Sequence, residues 1–163
     1  MIVIPRSATS TNRPSLTQIA SQETSGVLET HAILAVRKAS DNGDGSWGEW
    51  EYINPPMELG VEYRTTERYL GKPVYVKAIN FGALPNNTTK NVSLNIDNPE
   101  YLVGIWGNSN KNISIPSNNF GGGIGAGNIV TIWTNLIDVY ISTDGDRSNH
   151  SAIVLVKYTK TTD

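Results

Sequence analysis

Residues 69–86, YLGKPVYVKAINFGALPN, are the segment around which the other predicted strands are arranged. A Gly-Lys-Pro turn opens the segment and a Gly-Ala-Leu-Pro-Asn turn closes it, and the residues between them have the β-branched and aromatic character of a strand. Side chains alternate between the two faces of a strand, and both faces here are largely apolar. One face is predicted to carry Tyr75, Lys77, Ile79 and Phe81, and the other Val74, Val76 and Ala78. The segment is therefore predicted to be a central strand covered on both faces.

The composition limits the class of protein. The 163 residues include 13 Lys and Arg against 15 Asp and Glu, which leaves no electrostatic footprint for a nucleic-acid partner. The absence of cysteine excludes a disulfide scaffold, a thiol nucleophile and thiolate metal ligands. No apolar run approaches the roughly 18 residues of a membrane span, so no membrane insertion is expected. The surplus of Asn, Thr, Ser and Gly is typical of a turn-dense all-β protein.

Short alternating strands are predicted after the central one. The closing strand places Ala152, Val154, Val156 and Tyr158 on one face and Ile153, Leu155 and Lys157 on the other. Further strands are predicted at 92–96, 101–106, 113–115, 128–134 and 136–142. No helical period separates them, and this favours an antiparallel β-sandwich or jelly-roll-like head over residues 59–163.

The part of the chain before this head is predicted to be smaller and looser. Residues 1–16 are polar and interrupted by two prolines, which predicts a linker or an arm of a longer protein. Ser15 or Thr17 is a candidate cap for a short helix through Gln22. Residues 17–58 form a small β-rich segment, in which a strand at 31–38, a turn at 41–45 and an aromatic strand at 47–53 predict a hairpin.

Two glycine-containing motifs suggest ligand sites but fail on spacing or context. Gly121, Gly123 and Ala126 satisfy a G-x-G-x-x-A spacing, yet that fingerprint needs a helix after it, and a strand is predicted there. The segments 41–45 and 144–146 look like fragments of calcium loops, but glycines occupy positions that should carry oxygen ligands in the first of them. No metal and no cofactor is therefore predicted.

Catalytic residues are also not predicted. Asp146, Ser148 and His150 lie on one short turn, which does not set a base between a nucleophile and its orienting carboxylate. A carboxylate pair for glycosidic cleavage stays open, although Asp and Glu are scattered mostly at turns. The chain is predicted not to be an enzyme.

Two tryptophans are candidates for stacking on sugar rings, whose CH groups pack against aromatic faces. Trp106 lies between Gly104 and Gly107, and Trp133 follows the glycine loop. The alternative is that both rings fill the core, since large aromatics supply much of the burial in a β-sandwich. Core packing is favoured for Trp133, and both alternatives stay open for Trp106.

Residues 60–77, GVEYRTTERYLGKPVYVK, and 80–86, NFGALPN, resemble the C-terminal region of many bacteriophage tail fibre and tailspike proteins. The ending, with Asp146-Arg147-Ser148 and then residues 156–163, VKYTKTTD, is similar to the terminus of the same proteins. Residues 33–52, with Trp47-Gly48-Glu49-Trp50, resemble a degenerate form of the small knob modules repeated in such fibres. The resemblance extends over residues 60–163 and, more loosely, over residues 26–55.

This resemblance implies a homotrimeric head domain, preceded by a knob-like segment, at the distal tip of a fibre in the virion. It implies assembly in the host cytoplasm, contact with the remainder of the fibre, and host recognition through a bacterial surface polysaccharide or lipopolysaccharide. The alternative is that the chain is a structural trimerisation cap of a tailspike depolymerase and binds no ligand of its own. Polar loops are the candidate ligand-binding regions, with these residues: Trp106, Asn108, Asn110, Lys111, Asn118, Asn119, Asp144, Asp146, Arg147 and His150.

Overall fold

A computed structural model describes residues 2–5, 16–22, 33–39, 46–111, 113–117 and 129–163. The regular secondary structure of these residues consists of β-strands alone. The chain divides into two compact units. The first unit comprises Met1–Pro56 with Tyr63–Glu67, and the second comprises Met57–Glu62 with Arg68–Asp163. The divisions 1–16, 17–58 and 59–163 remain predictions.

The first unit is built from β1 (Ile2–Pro5), β2 (Leu16–Gln22), β3 (Ile33–Lys38), β4 (Glu51–Tyr52) and the middle of β5 (Glu62–Tyr69). Neighbouring strands follow chain order and are antiparallel, except that β4 and β5 are parallel. The helix predicted through Gln22 is wrong, because those residues pair with β1 and β3 along both edges of β2. Pairing with neighbouring strands thus overrides the local capping signal.

The predicted hairpin is confirmed where the structure describes it. β3 pairs antiparallel with β4, and Ala39 bridges Trp47. The guanidinium carbon of Arg37 lies 5.1 Å from the ring centroid of Trp47 and 4.4 Å from that of Trp50. The Nε atom of Arg37 also donates a hydrogen bond to Gln18 Oε1 at 2.7 Å. The two tryptophans before β4 therefore hold a cation against their indole faces. The turn at 41–45 lies outside the described residues.

The second unit contains two antiparallel sheets. The whole strands that this unit contributes to the first sheet have the order β6 (Lys72–Ala83), β12 (Ser151–Lys160), β8 (Pro99–Ser109) and β9 (Ser114–Ile115). The second sheet has the order β10 (Val130–Thr134), β11 (Asp138–Thr143) and β7 (Thr89–Ser93). Side chains from both sheets form one buried cluster: Tyr75, Ile79, Phe81, Leu84, Leu94, Ile115, Val130, Val139, Ile141, Ala152, Val154, Val156 and Tyr158. The prediction of an all-β sandwich is confirmed.

Strand β6 is buried on both faces, as its sequence predicts. Residues 73–79 are all buried. Lys77 is the one charged residue among them, and its Nζ donates a hydrogen bond to the carbonyl of Asn95 at 2.7 Å. That bond compensates part of the cost of burying an ammonium group. Gly71 and Gly82 have positive φ angles of 83° and 71°, a conformation that favours glycine at the ends of this strand.

Candidate functional site

The outer face of the first sheet carries three rows of side chains set by strand register. Because alternate residues of β12 share a face, Ile153, Leu155 and Lys157 lie opposite the core residues Val154 and Val156. The partners of these three outward residues on β6 and β8 complete the rows. The rows are Asn80–Ile153–Asn108, Ala78–Leu155–Trp106 and Val76–Lys157–Gly104.

A recess of about 390 Å³ lies on this face. Its polar lining comes from the amides of Asn80, Asn108 and Asn110 and from two serines, and its apolar lining includes Ile153 and Leu155. An amide both donates and accepts hydrogen bonds, so the recess presents mixed donors and acceptors beside apolar surface. A site of this size and mixed character suits a small polar ligand that also has apolar faces.

Trp106 borders the recess through its pairing with Leu155. Its side chain is 37% exposed, so the ring does not fill the core and its surface is accessible. The ring lies over Gly104, because a Cβ atom at that glycine would stand 3.3 Å from Cζ3 of the indole. Lys157 Nζ lies 5.9 Å from the ring centroid on the same sheet face. The strand and its glycine therefore hold the indole flat along β8 beside the recess.

Hydrogen bonds fix the turn after β8 next to the recess. Asn110 donates its backbone N–H to the Ser151 carbonyl at 2.8 Å, and its Oδ1 accepts from the Ser151 N–H at 3.2 Å. The Ser109 hydroxyl oxygen accepts the backbone N–H groups of Lys111 and Ile113, each at 3.3 Å. Asn110 thus ties the turn to β12, and its amide nitrogen is the part of the side chain left for a ligand.

The predicted residues at 144–150 mostly organise a turn. Asp144 Oδ1 accepts the Ile129 N–H at 2.8 Å. Asp146 Oδ1 accepts the N–H and the hydroxyl of Ser148 at 3.0 and 2.7 Å, and these bonds lower the pKa of the Asp146 carboxyl. Arg147 donates its backbone N–H to the Pro85 carbonyl at 3.2 Å. Both carboxylates therefore stabilise loop backbone.

His150 joins this turn to the segment that follows β6. Its backbone N–H donates to the Arg147 carbonyl at 2.9 Å, and its own carbonyl accepts from Leu84 at 2.8 Å. The residue is 9% exposed. Burial lowers the pKa of the imidazole, and the positive charges of Lys111 and Arg147 lower it further. The ring is consequently held neutral near pH 7 in the folded protein.

The free energy of unfolding is expected to fall as the pH drops below about 6.5. The folded-state pKa of His150 lies below its ordinary value of 6.5, so the unfolded chain takes up the proton first and protonation favours unfolding. Urea unfolding between about pH 7.5 and 5 measures the effect, and His150→Gln should reduce the fall. The Asp146 contribution is lost only at pH values below its ordinary pKa of 3.8, outside this window. Equal pH dependence in both proteins would contradict the assignment to His150.

The structure brings some of the predicted ligand-binding residues together and leaves others apart. Trp106 and Asn108 lie on β8 beside the recess, with Asn110 and Lys111 in the following turn. His150 and Arg147 lie on a turn close to Lys111. Asp144 lies elsewhere, next to the start of β10, where it binds the Ile129 N–H. Asn118 and Asn119, with the glycine loop, lie outside the described residues. Asn80 was not predicted, and only its register with Ile153 places it at the recess.

The prediction that Trp133 packs in the core is wrong. Its side chain is 42% exposed on the outer face of the second sheet. Strand alternation explains the difference, because Val130 and the β11 residues Val139 and Ile141 supply the core from this hairpin. Tyr140 stands directly across from Trp133, and the two rings are stacked with centroids 5.4 Å apart and planes 5° apart.

No group of three or more His, Asp or Glu residues that could hold a metal ion occurs among the described residues. No helix in the described ranges is long and apolar enough to cross a membrane.

Fold and site together define an all-β sandwich with a polar recess and exposed aromatic rings on its sheet faces. Comparison with protein-family models, with curated proteins and with solved structures found no match to this chain.

Proposed function

We propose that this chain is a carbohydrate-binding β-sandwich module that recognises glycans of the bacterial surface, as the head domain of a bacteriophage tail fibre or tailspike. The recess on the outer face of the first sheet carries the proposal. Its three amides and two serines lie beside apolar side chains, and Trp106 borders it. The fibre context rests on the resemblance of residues 60–163 to fibre C-terminal regions.

The chemistry of the recess fits a sugar better than a purely apolar or a strongly charged ligand. A pyranose carries hydroxyl groups around its rim and CH groups on its faces, so it needs both hydrogen-bonding and apolar partners. Asn108 and Asn80 flank Ile153 in one row, which places amides on both sides of an apolar residue. Trp106 in the adjacent row offers an aromatic face. The volume of about 390 Å³ lies in the range of small-ligand sites.

The proposal assigns binding and no catalytic step to this chain, and it places the protein in a homotrimer at the tip of a virion fibre. Exposed apolar side chains support self-association: Tyr69, Leu70 and Tyr101 are 39%, 74% and 46% exposed, and the rings of Tyr69 and Tyr101 lie 6.3 Å apart. Exposed apolar clusters of this kind mark interaction surfaces. Light scattering on the purified chain tests the trimer, and a monomer at micromolar concentration would contradict it.

Binding of the purified chain to an array of bacterial polysaccharides and lipopolysaccharides tests the main proposal. We expect binding to at least one glycan, and we expect Asn108→Ala and Trp106→Ala each to weaken it by roughly tenfold, the effect of losing one good hydrogen bond or stacking contact. Thr162→Ala, at an exposed position near the C-terminus, is the matched control and should bind like the parent protein.

Absence of binding to every glycan, in a chain whose urea unfolding is cooperative, would overturn the proposal in favour of the structural trimerisation cap. Unchanged binding by both recess variants would overturn the placement of the site. Release of reducing sugar by the purified chain would contradict the absence of a catalytic step.

A further inference from the structure

We propose that the outer face of the second sheet is a separate binding surface for an uncharged polysaccharide chain, centred on the stacked rings of Trp133 and Tyr140. We call these two residues with Asn91 the aromatic platform. The inference shares only a ligand class with the recess, since the two sites lie on the outer faces of different sheets, with core residues of both sheets between them.

Register builds the platform across all three strands of the sheet. Trp133 on β10 stands opposite Tyr140 on β11, and Tyr140 stands opposite Asn91 on β7. The planes of the two rings differ by 5° and their centroids are 5.4 Å apart, so the rings form one parallel stack. Each ring limits the motion of the other, which lowers the entropy cost of presenting an aromatic face to a ligand.

Polar groups surround the stack and are themselves held in place. Asn91 Nδ2 donates to Asp138 Oδ2 at 3.2 Å. Asn135 Oδ1 accepts the backbone N–H groups of Ile137 and Asp138 at 3.0 and 2.7 Å, and its Nδ2 lies 3.4 Å from the Tyr140 hydroxyl. The amides are thus oriented by the turn between β10 and β11, next to the aromatic rings.

The neighbouring row extends the surface with hydroxyl groups. Thr131, Ser142 and Thr89 pair across the same three strands, two residues along from the aromatic row. Two residues of strand correspond to about 6.8 Å, so hydroxyl and aromatic rows lie side by side. Aromatic faces beside hydroxyls and amides match a chain of sugar rings, which presents CH faces and hydroxyl rims.

The same composition argues against two other classes of partner. Neither row contains Lys or Arg, which a nucleic acid or another polyanion would require. A hydrophobic protein surface would leave the hydroxyls of Thr131, Ser142 and Thr89 without hydrogen-bond partners when it buried them. An uncharged polysaccharide satisfies both rows.

Affinity electrophoresis of the full chain tests the inference, in gels containing hydroxyethyl cellulose, galactomannan or a soluble β-1,3-glucan as probes. We expect at least one probe to retard the protein, and we expect Trp133→Ala to reduce the relative affinity by roughly tenfold or more, the loss of one stacked sugar ring. Asn91→Ala should reduce it less. Retardation that is lost in Trp106→Ala or Asn108→Ala and kept in Trp133→Ala would place probe binding at the recess and would overturn the inference.

Ile137→Ala is the matched control, because Ile137 is 68% exposed in the adjacent turn and contributes apolar area outside both rows. Urea unfolding of each variant separates loss of binding from loss of fold, and Trp133→Phe, which keeps an aromatic face, should retain part of the affinity. No retardation by any probe, or equal retardation of the parent and Trp133→Ala, would overturn the inference. Equal loss in Ile137→Ala and Trp133→Ala would indicate a general apolar contact and would also overturn it. A negative array of bacterial glycans leaves this outcome independent, because the gels contain other, uncharged polysaccharides and the inference depends on Trp133→Ala.

Discussion

Replacing Phe81 by alanine is expected to lower the free energy of unfolding by about 3–5 kcal/mol. The side chain is 1% exposed and belongs to the cluster that both sheets of the second unit share. Its removal loses apolar burial and leaves a cavity that the surrounding strands cannot close, because sheet pairing fixes their backbones. No larger single-residue effect is expected from the apolar core.

Chemical denaturation with urea measures this change, with the slope of the transition as a check that the folded and unfolded states remain comparable. Ile137→Ala is the matched control, since Ile137 is 68% exposed and its loss should change stability by less than about 0.5 kcal/mol. Phe81→Leu, which keeps most of the volume, should cost about 1–2 kcal/mol and remains measurable if the alanine variant does not fold. A loss below about 1 kcal/mol for Phe81→Ala would show that the ring does not lie in a closed core.

Removing Glu62 is expected to produce the second large effect, about 2–4 kcal/mol. The Tyr158 hydroxyl donates a hydrogen bond to Glu62 Oε2, and Lys160 Nζ pairs with Glu62 Oε1. Tyr158 is fully buried, and burial raises the pKa of its hydroxyl, with the hydrogen bond and charge of Glu62 raising it further. In Glu62→Ala the hydroxyl loses its acceptor and the partly buried ammonium loses its counter-charge.

A double-mutant cycle separates the pair from its surroundings. Tyr158→Phe removes the donor but leaves Glu62 paired with Lys160, so it should cost about 1 kcal/mol. The Tyr75 ring, stacked on Tyr158 at a centroid distance of 6.0 Å, stays in place in both variants. The cost of the double variant should fall short of the sum of the single costs by at least about 0.5 kcal/mol. Strict additivity would show that the hydroxyl and the carboxylate do not interact in solution.

Alternation alone predicted the closing strand correctly. Ala152, Val154, Val156 and Tyr158 share the buried face, and the outward residues between them include Ile153. Residues 69–86 were also predicted correctly as a strand covered on both faces, because nearly every position from 73 to 79 is apolar and that pattern has no exposed side. The tight turns before and after it were also predictable, because their Gly, Pro and Asn residues favour turns locally.

Polar strands were missed because their pattern is weak. β5 reads Glu-Tyr-Arg-Thr-Thr-Glu-Arg-Tyr, and only Tyr63 and Thr65 are buried. Two buried positions among charged neighbours do not distinguish a strand from an exposed crossing segment. β2 reads Leu-Thr-Gln-Ile-Ala-Ser-Gln, and this weakly patterned strand exists through pairing with both neighbours. β1 reads Ile-Val-Ile-Pro, and this run of four residues was included in the predicted linker because polar residues follow it.

By itself, the sequence determined the class of fold, the central and closing strands, and the candidate status of Trp106, Asn108 and Asn110, because apolar alternation and turn residues act within a few positions of chain. Tertiary structure alone decided which face each tryptophan occupies and which residues share a site. Asn80 and Asn108 are 28 positions apart, yet both flank Ile153. Trp133 lies outside the core because Val130, Val139 and Ile141 already fill it. Register between distant strands sets these relations, and a turn fixes register only between the two strands that it joins.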